Sequence, residues 1–181
     1  MKRLLPLLMV FLVGCAGPDP AMDAALDLRS RCLSSPQVEF RVQIYADYIS
    51  QVEEFTLDCA QNGETLSFQV AAPEDIGGIC GTVRGSEGSV RFDDAMLAFP
   101  LMADGRLNPL SGPWVVMKAI RTGNILAAGR EGELIHLVID DSYEENALTV
   151  DLWLDGGAVS QAEVAWEGRR CLAMTFDGFS A

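Results

Sequence analysis

The chain carries a single histidine, His136, and this bounds the acid–base and nucleophilic chemistry it can support. A hydrolytic triad needs a nucleophile, a base and a group that orients the base. No Gly-x-Ser-x-Gly elbow occurs, and His136 alternates with Leu134 and Val138, the pattern of a histidine half-buried on a strand. The acidic pairs Asp93-Asp94, Asp140-Asp141 and Glu144-Glu145 are adjacent residues, which face opposite ways in a strand, and none has EF-hand spacing. They read as solvated charged turns. Gly77-Gly78 and Gly156-Gly157 do not open a helix after a strand, so they read as turn glycines and not as phosphate cradles. No two cysteines are spaced C-x-x-C, and one histidine supports neither a zinc site nor a thioredoxin-like redox site. The expectation is a protein without catalytic residues, metal or cofactor.

The first of the five cysteines belongs to a different pattern. Lys2 and Arg3 precede an apolar run from Leu4 to Val13, interrupted by Pro6 and closing on Leu12-Val13-Gly14-Cys15. At about 1.5 Å per residue the run is too short for a bilayer core of about 30 Å, so it reads as the apolar region of a secretion signal. The closing four residues resemble the bacterial lipobox: Leu12, Gly14 and Cys15 fit, while Val13 is bulkier than the usual Ala or Ser. That resemblance implies a signal peptide over residues 1–14 and lipid attachment at Cys15, which becomes the first residue of the mature chain. Acyl chains such as palmitate, at about 0.8 kcal/mol per buried CH₂, would hold the protein on the extracytoplasmic face of the cell membrane. Residues 15–20 then form anchor and tether, with Gly17, Pro18 and Pro20, and residues 21–181 a single domain of ordinary size.

Loss of Lys2 and Arg3 with the signal takes the formal charge from −13 to −15. So acidic a domain is repelled by phosphates, which argues against nucleic acid as a partner and against a basic membrane-docking patch. Cys32, Cys59, Cys80 and Cys171 remain, an even number in an exported chain, which permits two disulfides in any of three pairings. Free buried thiols fit as well. Cys32 falls on the apolar face of a predicted helix and Cys59 on that of a predicted strand, and a Cys32–Cys59 bridge is the preferred pairing.

The elements that must position any site follow from periodicity. Ala21, Ala25, Leu28 and Cys32 recur at helical spacing up to Leu33, and Ser34, Ser35 and Pro36 end the helix. From Val38 the period becomes two. Val38, Phe40, Val42, Ile44 and Ala46 share one face, opposite Glu39, Arg41, Gln43, Tyr45 and Asp47. Phe55, Leu57 and Cys59 alternate with polar residues, as do Leu66, Phe68 and Val70 after the Asn62-Gly63 turn, so the three segments form a meander. Strands continue over residues 79–84, 89–92 and 95–101. Asn108-Pro109-Leu110 then opens a second helical segment carrying Trp114, Met117, Lys118, Ile120 and Arg121, which Gly123 stops. Four strands close the chain, over residues 134–139, 148–154, 159–166 and 170–176. One early helix, one late helix and eight to ten antiparallel strands make an α+β fold with a curved sheet that two helices cover in part.

Toward the C-terminus, Leu152-Trp153-Leu154-Asp155, Ala162-Glu163-Val164, Gly168 and Met174-Thr175-Phe176-Asp177-Gly178-Phe179 resemble the closing hairpins of the LolA/LolB-like superfamily of lipoprotein carriers. The order of lipobox, helix, meander, late helix and final hairpins agrees over nearly all of the mature chain. Small lipoproteins of Gram-positive anaerobes, grouped with that superfamily by analogy, are more similar still. The resemblance implies an open antiparallel half-barrel with a helical lid and no catalysis. LolA itself is a soluble shuttle without an anchor, and its lipid-gating residues do not map onto this chain one by one.

The apolar stripe is the remaining candidate site. Val38, Phe40, Val42, Ile44, Phe55, Leu57, Leu66, Phe68 and Val70 should share the concave face beneath Trp114, Met117 and Ile120. Such a stripe is either a filled core or a groove for acyl chains, with Trp114 and Met117 as adaptable gate residues. The first function it supports is an anchored lipoprotein that binds a lipid or other apolar ligand without catalysis. The other is an envelope interaction or sensor module with a filled core and no ligand. Substitution Cys15→Ala should leave the protein without lipid; membrane fractionation that finds its retention unchanged would count against the anchor.

Overall fold

The computed structural model describes residues 19–47, 52–103, 106–141 and 148–181. The signal at 1–14, the attachment residue Cys15, the tether up to Pro18 and the Glu144-Glu145 pair lie outside them. The chain runs α1 (Pro20–Ser34), β1 (Val38–Asp47), β2 (Val52–Asn62), β3 (Thr65–Ala72), β4 (Cys80–Arg84), β5 (Glu87–Phe92), β6 (Ala95–Pro100), β7 (Met102–Ala103) and β8 (Arg106–Leu107). After a turn of 3₁₀ helix come α2 (Gly112–Thr122), β9 (Asn124–Glu131), β10 (Leu134–Asp140), β11 (Leu148–Asp155), β12 (Ala158–Trp166) and β13 (Arg169–Ser180).

Eleven strands form one antiparallel sheet in the order β6-β5-β4-β3-β2-β1-β13-β12-β11-β10-β9, and β7 pairs with β8 alone. Eight to ten strands were expected, and the sheet exceeds that range. The strand absent from the sequence reading is β9. It is an edge strand whose residues are mostly exposed or half-buried without alternation, so it carries no period-two signal. The meander of β1 to β3 and the C-terminal hairpins form as expected. β1 is buried and exposed at strictly alternating positions, Val38 to Ala46 inward and Glu39 to Asp47 outward.

Helix α1 starts where Asp19 accepts a hydrogen bond from the Ala21 amide (3.0 Å) and Pro20 fills the first turn. Its buried stripe is narrow: Ala21, Ala25, Leu28 and Cys32. Helix α2 is enclosed far more fully, with Gly112 to Met117, Ala119 and Ile120 all buried. It packs on β2 and β3 and also on β10 and β12. In the sheet β3 and β10 are six strand intervals apart, about 29 Å if the sheet were flat, whereas a helix is about 10–12 Å across. One helix touches both because the sheet curls around it, which makes the open half-barrel. Arg29 of α1 ties the helices together, donating to the carbonyls of Ile120 and Gly123 at 2.7 Å each. These are carbonyls at the C-terminal end of α2, where a cation also meets the negative end of the helix dipole.

The preferred Cys32–Cys59 bridge does not form. All four cysteines within the described residues are free. Helix α1 packs on α2, β9 and β10, while Cys59 lies in β2 beside Phe40 and Phe68, so the two thiols fill different parts of the core. Burial pushes the Cys32 thiol up to about 11, against the opposing pull of Arg31 and Arg121. Burial also raises Cys59 well above the usual thiol range. Since the thiolate is the reactive form, both are inert in the folded state.

Two tests follow from this packing. At Gly123 a Cβ would press on the Ala119 and Asp140 carbonyl oxygens at 2.7 and 2.8 Å and on the Ile139 methyl at 2.5 Å. Gly123→Ala should therefore cost about 1–3 kcal/mol in urea unfolding, the range for overpacking, as the backbone at two of these contacts cannot step aside. Gly129→Ala, which meets nothing within 4 Å, should stay within about 0.5 kcal/mol. Alkylation of the folded protein should label the half-buried Cys80 and Cys171, with Cys32 and Cys59 labelled only after unfolding; a Cys32–Cys59 peptide pair recovered without reductant would contradict the free-thiol assignment.

Candidate functional site

Of the twelve residues proposed for the groove, eleven are buried side by side in one apolar core: Val38, Phe40, Val42, Ile44, Leu57, Leu66, Phe68, Val70, Trp114, Met117 and Ile120. Phe55 is half-buried against them. The stripe is thus contiguous, and α2 lies in it. The strands place one side chain per register row on this inner face, as in Phe40, Cys59, Phe68, Gly81, Val90 and Leu97, each paired with the next.

A cavity of about 470 Å³ opens at the margin of this core, where α2 faces the β2–β3 and β4–β5 turns. Of the twelve groove residues, Trp114 lines it. Leu33 from α1, Leu101 after β6 and the Trp114 indole give it apolar walls, with Gln61, Glu64, Lys118 and Arg121 around them. Trp114 is only 8% exposed, and its indole Nε1 donates to the Glu64 carbonyl at 3.1 Å, so the ring is held in one orientation. The β2–β3 turn is built at Gly63, whose φ of 55° is open to glycine at little cost. Its carbonyl accepts from both Gln61 Nε2 (2.7 Å) and Arg121 Nη1. Lys118 sits 5.7 Å from the centre of the Trp114 ring and pairs with Asp141 at 2.8 Å.

Gln61 is the least expected member. It is 4% exposed, one of two buried polar residues among those described, and its Oε1 has no hydrogen-bond partner among them. A buried amide oxygen without a donor costs free energy that a ligand donor can recover. Sequence reasoning singled out Trp114 here and passed over Gln61, Lys118 and Arg121 as site residues. The spacing of Trp114, Lys118 and Arg121, at i, i+4 and i+7, marks a second helical face that the strongly apolar face of Met117 and Ile120 obscured.

A larger depression of about 870 Å³ lies on the opposite, outer face of the sheet. It is polar. Arg41 holds Asp58 in a bidentate pair at 2.7 and 2.9 Å, which keeps the Asp58 carboxyl below its ordinary range and Arg41 above its own. Thr82 and Ser89 hydroxyls share a hydrogen bond of 3.1 Å. Its Arg41 and Asp58 are spent on each other and it lies more open to solvent than the smaller cavity, which is therefore the better candidate for an apolar ligand.

His136 lies on this outer face as a half-buried strand residue. Its ring stacks on Trp153 with centroids 4.6 Å apart; its Nε2 meets Asp151 Oδ1 at 2.8 Å, and Nδ1 is 3.8 Å from Glu131. Trp153 Nε1 donates to the same Glu131 carboxylate at 2.8 Å. Both ring nitrogens therefore face carboxylates, and the hydrogen-bond partner of His136 is Asp151, not a hydroxyl or thiol nucleophile. Among the described residues no three His, Cys, Asp or Glu side chains cluster as metal ligands, and no helix is long and apolar enough to cross a membrane.

No family model and no curated protein matches the chain. Among solved structures it is similar to a LolA superfamily protein from Nitrosomonas europaea, at 9% identity over 88% of this chain and 92% of that one, with a TM-score of 0.47. It is also similar to the lipoprotein LppX from Mycobacterium tuberculosis, at 14% identity over 90% and 96% of the two chains, with a TM-score of 0.39. A third similar chain comes from the complex of the Clostridioides difficile CwlD amidase with the GerS lipoprotein, at 11% identity over 91% and 98%, with a TM-score of 0.38.

Proposed function

We propose that this protein is a membrane-anchored lipoprotein, held through lipid on Cys15, that binds the apolar part of a lipid in the cavity against α2 and performs no catalysis. The observation that carries this reading is the cavity itself. Its volume of about 470 Å³ falls in the range of small-molecule sites, about 300–1,000 Å³. Leu33, Leu101 and Trp114 offer an apolar wall, Arg121 offers positive charge at the rim of an otherwise acidic molecule while Lys118 is paired with Asp141, and Gln61 Oε1 has no donor among the described residues. That combination suits an amphiphile with an apolar tail and an anionic, hydroxyl-bearing head. Helix α2 acts as the inner wall, and Trp114 as the residue against which the tail lies.

The second reading, an envelope interaction module, is favoured by a separate observation: eleven of the twelve groove residues pack into a filled core, leaving a marginal cavity rather than a channel along the sheet.

The discriminating measurement is native mass spectrometry of residues 21–181 purified without detergent, with organic extraction and titration by a fluorescent long-chain fatty acid. A lipid at defined stoichiometry is expected, and Ser86→Trp, which fills the cavity from its exposed turn, should weaken fatty-acid binding by about tenfold, or 1.4 kcal/mol, without lowering the melting temperature. A clean unliganded mass with no fatty-acid binding would leave the interaction module as the function.

A further inference from the structure

The two edges of the sheet are protected unequally. At the β9 edge, α1 packs against the strand, Arg130 and Glu131 put charges on it, and the pairing with β10 breaks register between Val138 and Ile139. Covering, charge and irregular register are the usual means by which a protein keeps an edge from pairing with another chain. Among the described residues the β6 edge has none of these over Ala95–Phe99, and only Pro100 at its end. It pairs without register break to β5, and its side chains are Ala95, Met96, Leu97, Ala98 and Phe99. Met96 is 71% exposed on the outer face and Leu97 65% exposed on the inner face, with Phe92 beside it 58% exposed. Leu97 ends the inner row that begins at Phe40 in the core, on strands beyond the main packing of both helices.

We propose that β6 is a self-association edge, on which β6 of a second copy adds antiparallel across a two-fold axis to continue the sheet from one molecule into the other. Three observations select this occupant. Every neighbour pair in the sheet is antiparallel, and a two-fold axis through the β6 edge supplies an antiparallel strand by symmetry. The strand is apolar on both faces, so the chain that pairs with it must be apolar on both faces too, and β6 meets that requirement itself. The molecule carries a net charge of −13, and β6 is a stretch without charge where two like copies approach at least electrostatic cost. A β6-to-β9 contact between copies would not close, and it would meet α1, Arg130 and Glu131. A membrane surface is disfavoured, because the β5–β6 turn carries Asp93 and Asp94 directly beside Phe92.

The test uses the full chain in the producing cell. Two differently tagged forms are co-expressed, each with a photo-crosslinking benzoylphenylalanine at position 96, and a second pair with it at position 126 on the β9 edge. Position 96 should yield a covalent adduct that contains both tags, and position 126 should not. In detergent-solubilised full-length protein, sedimentation velocity should show a dimer that Met96→Lys with Leu97→Lys weakens by at least about tenfold, with an unchanged circular dichroism spectrum. Adducts at position 96 to a different protein alone, to lipid alone, or to nothing, or a wild-type chain that sediments as a monomer throughout, would overturn the proposal.

Discussion

Helix α2 presents apolar side chains on nearly every side, and burying it requires a sheet that bends around it. A helix packed on a flat sheet hides one face. Here residues from β2 and β3 meet one flank of α2 while residues from β10 and β12 meet another, and the curvature of the half-barrel is the geometric result. The rest depends on that arrangement. Arg29 can reach the last carbonyls of α2 because α1 is drawn over the same opening, and Gly123 must be glycine because the chain passes directly from α2 into β9 under the carbonyl of Asp140. The cavity exists because α2 is buried less completely at its last turns, where Lys118, Arg121 and Thr122 replace apolar side chains.

The two faces of the sheet divide labour accordingly. The inner face carries the hydrophobic stabilisation, with Val42, Ile44, Leu57, Leu66, Val150 and Leu152 fully enclosed. The outer face is a polar surface of cross-strand pairs such as Arg41 with Asp58 and Arg170 with Glu163 (2.7 Å). The Asp58 contribution is present at pH values above the ordinary aspartate range and fades as acid takes the pH through the depressed value, since the folded state holds that carboxyl ionised. Both partners are largely exposed, so solvent screens the pair and it sets strand register more than stability.

Much of this was legible in the sequence, for identifiable reasons. The period of two in β1, β2 and β3 reports a sheet with one dry face, and the Asn62-Gly63 pair reports the turn between two of those strands. The second helix was legible from Asn108-Pro109, an acceptor side chain followed by a proline, and the first from the spacing of Ala21, Ala25, Leu28 and Cys32, whereas Asp19-Pro20, read as tether, caps and opens that first helix. Edges were not. The side chains of β9 pack irregularly because no strand lies beyond it, so alternation gives no signal there. The state of the cysteines was equally hidden, since an apolar face is where a disulfide and a free thiol both reside. The site was half legible: apolar periodicity nominates Trp114 but treats Gln61 as an ordinary strand residue, and its burial comes from elements distant in sequence.

The central pairing of the sheet joins β1 to β13, so Val42 lies against Phe176 and Ile44 against Met174. The first strand to be synthesised therefore acquires one of its two neighbours from the last. Until the end of the chain is available, β1 has an unpaired side, the sheet is two separate meanders, and α2 has no complete wall to bury itself in. Contacts so far apart in sequence close slowly, because the loop between them must first be ordered. A chain wired in this way cannot join its two meanders into one sheet, or close the wall around α2, until its final strand has been made.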